Sequence, residues 1–199
     1  AFMTTILGYG TVAFIAYAIS YWAAPYGERA FGMPKAELGL WLGGGSALGG
    51  FLGVVLGGRM ADFLFARYAA GRVMAVIAFT TQSQTLFLVM SVVCNTLVAS
   101  ALGAAAAASQ SLVLPRMRGT ATATFFLATT LVGLALGPYL AGYVSAASGD
   151  LATGVLATLW IAPIGLALLL TALRLVPGAM ATIMERAIAA GETQPGGTE

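Results

Sequence analysis

The sequence predicts an all-α integral membrane protein with six transmembrane helices, and three observations lead to this prediction. Hydrophobic residues make up 59% of the 199 residues, charged residues only 8%, and the mean hydropathy is +0.91. A soluble domain carries about 25% charged residues. Apolar stretches of about 20 residues, the length that an α-helix needs to cross the hydrocarbon, recur along the chain. Basic residues gather in alternate loops, as they do on the cytoplasmic side of membrane proteins.

The composition also excludes several classes of function. A net charge of +2 is too small to indicate a nucleic-acid partner. The chain has no histidine, which excludes a Ser-His or Cys-His dyad and a histidine metal site. Cys94 is the one cysteine, so no internal disulfide can form. No metal site, cofactor or enzymatic activity is expected, and the start at Ala1 within an apolar run suggests part of a longer polypeptide.

Five spans follow directly from the apolar runs. They cover approximately residues 4–24, 38–58, 86–114, 121–146 and 151–176. Seven arginines lie in one set of alternate loops, whereas the other set carries only Arg29 and Lys35. The positive-inside rule therefore places the C-terminus in the cytoplasm.

The same rule requires a sixth span between the basic turns at Arg72 and Arg116. Only the 42 residues 73–114 are available for two crossings, and they contain a polar block at 80–85 that is predicted to be an exposed loop. One alternative is a helix over 73–93 whose polar block lines a cavity at mid-bilayer, because unsatisfied polar groups there cost several kcal/mol each. The other is a third span of which some residues are absent from the sequence. Either gives six spans.

The turn after the second span resembles the loop signature of the major facilitator superfamily, G-x-x-x-D-(R/K)-x-G-(R/K)-(R/K). The matching residues are Gly58, Asp62 and Arg67, and the turn departs from the signature at Phe63, Phe65 and Ala66. Residues 115–123 and 133–142 are similar to the tenth-to-eleventh helix region of bacterial Spinster-like transporters. Residues 22–33 are similar to the exit of their seventh helix.

This resemblance covers nearly the whole chain and implies the C-terminal half, helices seven to twelve, of a major facilitator fold. It implies a secondary active transporter of the bacterial inner membrane that works by alternating access with an N-terminal six-helix half. Spinster-like proteins are associated with sphingolipid and lysophospholipid export, which implies a small amphipathic or lipid-like substrate. The resemblance also implies that Asp62 holds its loop against the opposite half, with Arg116 or Arg118 as its basic neighbour. Alternatively, Asp62 only solvates the turn and the arginines set the topology.

Small residues recur every four positions in two spans, a spacing that allows close packing of membrane helices. The second span carries Gly45, Gly49, Gly53 and Gly57, and the fifth carries Gly133 and Gly137 followed by Pro138, which should bend it. By the resemblance these are helices eight and eleven, which pack against the other half and slide as access alternates. The alternative is static packing inside one bundle.

The substrate cavity is predicted on the first span. Tyr9, Tyr17 and Ser20 fall within about 80° of one another at about 100° per residue. By the resemblance helix seven lines the central cavity, so this stripe is expected to face the substrate, with Thr129 and Thr130 as further candidates. Ordinary helix packing is the alternative. No acidic or basic residue lies in the interior of the confident spans, so protons, if coupled, would be handled by the other half.

Residues 1–176 are therefore predicted to form the membrane bundle. Pro177-Gly178 should break the last helix, leaving residues 177–199 as a cytoplasmic amphipathic segment, in contact with membrane lipids, and a disordered tail. Three other functions remain open. They are a drug or organic-anion exporter, a homodimerising six-helix scaffold, and, least of all for want of a histidine base, a rhomboid-type protease.

Overall fold

The computed structural model describes residues 1–57 and 64–189, and all regular structure in these two ranges is helical. Helix α1 is Phe2–Phe31, and α2 (residues 35–57) joins Lys35–Leu38, a π-helical turn Gly39–Gly44 and Gly45–Gly57. Helices α3 and α4 are Leu64–Thr80 and Gln84–Ser111. After the 3-10 turn Pro115–Met117, α5 is Arg118–Ser148 with a π-helical segment Thr130–Ala135 inside it. Helix α6 (residues 151–189) includes a 3-10 turn at Thr158–Ile161.

Three of these helices are long and apolar enough to cross a membrane. They are Phe2–Phe31, Arg118–Ser148 and Leu151–Thr182, and Gln84–Ala99 is a shorter apolar stretch. The surfaces of these helices that face away from the bundle are rich in large apolar side chains, for example Leu131, Leu134 and Trp160. Such a surface is stable against lipid and would be costly in water.

Glycine and capping side chains end and begin the helices at the loops. Gly32 adopts φ 64° after α1, and Gly149 adopts φ 72° after α5, which is the left-handed conformation that glycine tolerates best. Ser83 accepts a hydrogen bond from the N–H of Leu86 at the start of α4. Asp150 accepts hydrogen bonds from the N–H groups of Ala152 and Thr153 at the start of α6.

Helix α1 lies at the centre of the bundle and packs against α4, α5 and α6. An aromatic cluster fixes its C-terminal end to the turn between α3 and α4. The ring of Tyr26 lies 4.9 Å from that of Phe79 and 5.4 Å from that of Phe87, and its hydroxyl donates to the carbonyl of Phe79 at 3.2 Å. Phe79 and Phe87 are fully buried, so this cluster is the densest part of the core at that end.

The helix found where the third span is predicted is α3. It has 17 residues and begins at Leu64, before the range 73–93 of the first alternative. The predicted exposed loop at 80–85 is confirmed for residues 81–83, which form the turn between α3 and α4, whereas Thr80 ends α3 and residues 84–85 begin α4. A single helix over 73–93 is therefore wrong, since the chain reverses within that range. Arg67 and Arg72, which were assigned to the cytoplasmic turn, lie inside α3.

The last helix does not end at Pro177-Gly178 as predicted. It continues to Ala189, with Pro177 inside it and the hydroxyl of Thr182 donating to the carbonyl of Gly178 at 3.0 Å. A proline removes one backbone hydrogen bond and bends a helix, but the ladder can resume beyond it. The predicted disordered tail at 191–199 lies outside the described residues.

Candidate substrate-binding cleft

A cleft of about 230 Å³ opens between α1, α4 and α5. Its α1 wall is one stripe at helical spacing, and its other walls come from the middle of α4 and from the residues just before and at the π-helical segment of α5. The lining residues are Tyr9, Ala13, Ala16, Tyr17, Ser20, Asn95, Val98, Ala99, Leu102, Phe126, Thr129 and Thr130. None of these twelve side chains carries a formal charge.

The polar end of the cleft is formed by a hydrogen-bonded pair that connects α1 to α4. The hydroxyl of Ser20 donates to Oδ1 of Asn95 at 2.8 Å. The Nδ2 group of Asn95 donates to the backbone carbonyl of Ser91, one turn earlier on α4, at 3.2 Å. This second bond holds the amide in a fixed orientation, with Asn95 half-buried and Ser20 exposed to the cleft.

The apolar end lies nearer the start of α1. Tyr9 is 5% exposed, and its ring lies 5.2 Å from that of Phe125. Leu102 packs against the same buried cluster. Thr129 adds little polarity here, because its hydroxyl donates to the carbonyls of Phe125 and Phe126 at 2.9 and 3.0 Å.

All five residues that the sequence nominated for the cavity line this one cleft. They are Tyr9, Tyr17, Ser20, Thr129 and Thr130. Their contact with substrate stays a prediction. Sequence reasoning missed Asn95 and Phe126, and the available signal for Asn95 was an amide side chain within a long apolar helix.

The fold agrees with known transporter structures. No protein-family model matches the sequence. Two crystal structures of a bacterial homologue of the human lysosomal transporter Spinster match 96% of this chain. The inward-facing occupied form gives a TM-score of 0.57 at 24% identity, and the inward-facing unoccupied form 0.60 at 23%. This chain spans 47% and 46% of those chains. The fold is that of about one half of these transporter structures.

A sequence relative points the same way. This chain is 28% identical over 160 residues to an MFS-type efflux pump of Mycolicibacterium smegmatis, and the match covers 73% of this chain and 36% of the pump. The chain therefore spans about a third to a half of the relatives that it matches. The predicted fold class, and with it a multi-pass membrane protein, is confirmed.

Two glycines of the second span pack inside the described bundle. A methyl group at Gly45 would lie 2.9 Å from Cγ2 of Val92, and one at Gly49 would overlap the hydroxyl of Thr96. Both neighbours belong to α4, so α2 and α4 approach closely at these two positions. Gly53 and Gly57 follow in α2, but their surroundings are outside the described part of the chain.

The glycines of the fifth span face α1 of the same chain. A methyl group at Gly133 would lie 2.9 Å from Cβ of Ala13, and one at Gly137 would overlap the carbonyl oxygen of Phe14. The carbonyl of the buried Pro138 accepts a hydrogen bond from Nε1 of Trp22 at 2.9 Å. These contacts fit the static-packing alternative for Gly45, Gly49, Gly133 and Gly137. The contact of the glycine stripes with another half stays a prediction.

The loop-signature residues are only partly visible. Gly58 and Asp62 lie outside the described residues, and for Arg67 only the helical backbone of α3 is described. Arg116 and Arg118 lie at the start of α5 with exposed side chains. The latch of the Asp62 loop to the opposite half, with one of these arginines as its neighbour, therefore stays a prediction.

Proposed function

We propose that this chain is the C-terminal half of a secondary active transporter of the bacterial inner membrane, with its C-terminus in the cytoplasm. With an N-terminal six-helix half it would move a small amphipathic or lipid-like substrate, of the lysophospholipid or sphingolipid type, by alternating access. The observation that carries the proposal is the uncharged, largely apolar cleft between α1, α4 and α5. Ligand sites are commonly apolar clefts with a few placed polar groups, and this cleft has that composition.

The size of the cleft also fits a half-transporter. Complete ligand pockets enclose about 300–1,000 Å³. The cleft of about 230 Å³ would supply one wall, and the N-terminal half would close the opposite side. Proton coupling, if it occurs, is assigned to that other half, because no acidic or basic side chain lines this wall.

The test uses the full-length transporter that contains this sequence, reconstituted into proteoliposomes. Phe126→Ala removes an aromatic wall of the cleft, and Leu127→Ala, at the next position of α5, removes an outward-facing side chain of similar apolar character. Burying a Phe side chain contributes about 1.5–3 kcal/mol, so Phe126→Ala should weaken lysophosphatidylcholine transport about tenfold or more. Leu127→Ala should transport as the unmodified protein does. Equal transport by both variants would contradict a substrate role for the cleft.

A second candidate, export of hydrophobic drugs or organic anions, is favoured by the similarity to an MFS-type efflux pump. Competition separates the two candidates. In a lipid transporter, excess sphingosine should inhibit the transport of lysophosphatidylcholine, and tetraphenylphosphonium should not. A drug exporter should show the reverse order.

A further inference from the structure

Thr129 and Thr130 are neighbours on α5, but their hydroxyl groups have different surroundings. Thr129 is 5% exposed and belongs to a buried stripe that recurs every four residues at Phe125, Gly133 and Gly137. Thr130 lies one position beside this stripe, and its side chain is exposed at the edge of the cleft. The two threonines therefore meet the cleft in different ways.

The hydroxyl of Thr130 is left without the acceptor that a helical threonine commonly uses. That acceptor is the backbone carbonyl one turn earlier, and Thr96 and Thr124 each donate to it at 2.9 Å. At Thr130 it is the carbonyl of Phe126, which already accepts the hydroxyl of Thr129 at 3.0 Å and the N–H of Thr130 itself. A carbonyl oxygen offers two lone pairs, and both are taken. Within the described part of the chain, the hydroxyl of Thr130 donates to no other group.

A second hydroxyl lies at the same edge of the cleft. Tyr17 of α1 lines the cleft and is 41% exposed, and its hydroxyl likewise has no hydrogen-bond partner among the described residues. A methyl group at Gly133 would lie 3.0 Å from Cδ2 of Tyr17. The ring of Tyr17 therefore packs on α5 within one turn of Thr130. Because an unpaired hydroxyl in hydrocarbon is costly, these two donors favour an occupant of the cleft that carries acceptor atoms.

We propose that the hydroxyl groups of Thr130 and Tyr17 donate to acceptor oxygens of the ligand, and that Thr129 positions Thr130 by occupying the carbonyl of Phe126. The phosphate oxygens and the ester carbonyl of a lysophospholipid are acceptors of this kind. The inference rests on the proposed function and adds the residues that recognise the ligand. It sets no requirement on the charge of the ligand, because a hydroxyl donates to neutral and to anionic oxygens.

The experiment measures binding of radiolabelled lysophosphatidylcholine to the full-length transporter in lipid nanodiscs. A second ligand is its ether analogue, in which a methylene group replaces the ester carbonyl. Thr130→Val removes one hydroxyl at nearly the same shape, Thr130→Ser keeps it, and Tyr17→Phe removes the other. Thr124→Val is the matched control, because Thr124 is also on α5 but donates to the carbonyl of Thr120 and does not line the cleft.

Thr130→Val and Tyr17→Phe should each weaken binding of lysophosphatidylcholine about 3- to 10-fold, which corresponds to the loss of one hydrogen bond. Thr130→Ser and Thr124→Val should bind as the unmodified protein does. The ether analogue identifies the acceptor. A variant that weakens both ligands equally has lost a bond to the phosphate, and a variant that weakens only the ester has lost a bond to the ester carbonyl. If Thr130→Val does not reach the nanodisc, Thr130→Ala takes its place.

The positioning role of Thr129 has a readout of its own. Thr129→Val frees the carbonyl of Phe126, and the hydroxyl of Thr130 should then turn back to it and away from the ligand. Thr129→Val should therefore weaken binding about 3- to 10-fold in the unmodified protein and no further in Thr130→Val. An equal loss in both backgrounds would show a general effect on the cleft and would remove the positioning role.

Two results overturn the inference and leave the proposed function in place. Equal affinity of Thr130→Val and Thr130→Ser would show that the ligand does not use the hydroxyl. A ligand-free Thr130→Val that melts below the unmodified transporter would show that the hydroxyl has a partner within the transporter. If the unmodified protein neither binds nor transports lysophosphatidylcholine, the proposed function and the inference fail together.

Discussion

The close approach of α5 to α1 at Gly137 gives a sharp prediction for Gly137→Ala. The added methyl group would overlap the carbonyl oxygen of Phe14 and lie 3.2 Å from its carbonyl carbon. These are backbone atoms, so no side-chain rotation can relieve the overlap. The two helices would have to separate, and a gap of about 0.5–1 Å forfeits about a quarter to a half of each dispersion contact across it.

The expected magnitude follows from two opposing effects. Overpacking a tight contact costs about 1–3 kcal/mol, and the separation would also lengthen the hydrogen bond from Trp22 to the carbonyl of Pro138. Alanine regains up to about 1 kcal/mol over glycine in a helix. The net loss should therefore be about 1–3 kcal/mol, and the melting temperature should fall by roughly 3–10 °C at about 2–4 °C per kcal/mol.

The assay is thermal unfolding of the purified transporter in detergent, with Gly178→Ala as the matched control. Gly178 lies inside α6, and a methyl group there would meet nothing within 4 Å. This control should therefore melt at the same temperature as the unmodified protein or slightly higher. The packing argument is refuted if Gly137→Ala melts together with Gly178→Ala.

Two further predictions concern α1 and α6. Trp22→Phe keeps the aromatic ring but removes the N–H that donates to Pro138, so it should lower the free energy of unfolding by about 1 kcal/mol; no loss in denaturant unfolding would contradict this. Hydrogen bonds from Thr153 and the N–H of Ala152 hold the pKa of the Asp150 carboxyl below its ordinary value of 3.8. Its capping effect, about 1 kcal/mol, is thus complete above that value and is lost as the pH falls through the lowered pKa. The difference in melting temperature between Asp150→Ala and the unmodified protein should shrink on acidification. The difference between Asp150→Asn and Asp150→Ala should not change with pH, because the asparagine cap has no titrating group.

The third span shows what hydropathy could and could not predict. Its 17 residues contain Arg67 and Arg72, so no apolar run of about 20 residues exists there for a hydropathy pattern to find. The distribution of basic residues nevertheless predicts a further helix before α4, and α3 is a helix at that place. The start of α3 depends on packing against α4 and α6, which no local pattern encodes.

The cleft was predictable on α1 and not on its other walls. Helical periodicity places Tyr9, Tyr17 and Ser20 on one face of α1 wherever that helix lies. Which residues of α4 oppose that face depends on the rotation of α4, and this rotation follows from the close contacts at Val92 and Thr96 with the glycines of α2. Asn95, between them in sequence, is turned towards Ser20 as a consequence.

The glycine contacts also bear on how such a half could move. Alternating access in transporters built from two halves is largely a rocking of one half against the other around a fixed site. At Gly45 and Gly49 α2 packs closely on α4, and at Gly133 and Gly137 α5 packs closely on α1, so that an added methyl group would crowd the neighbouring helix. The helices that form the cleft would therefore travel together as one body, and the distance between Ser20 and Asn95 would stay constant through the cycle. A pair of spin labels on the outward-facing Leu7 and Leu134, one on α1 and one on α5, should accordingly report one distance in all access states. Two distances that interconvert with substrate would show that these glycine contacts slide.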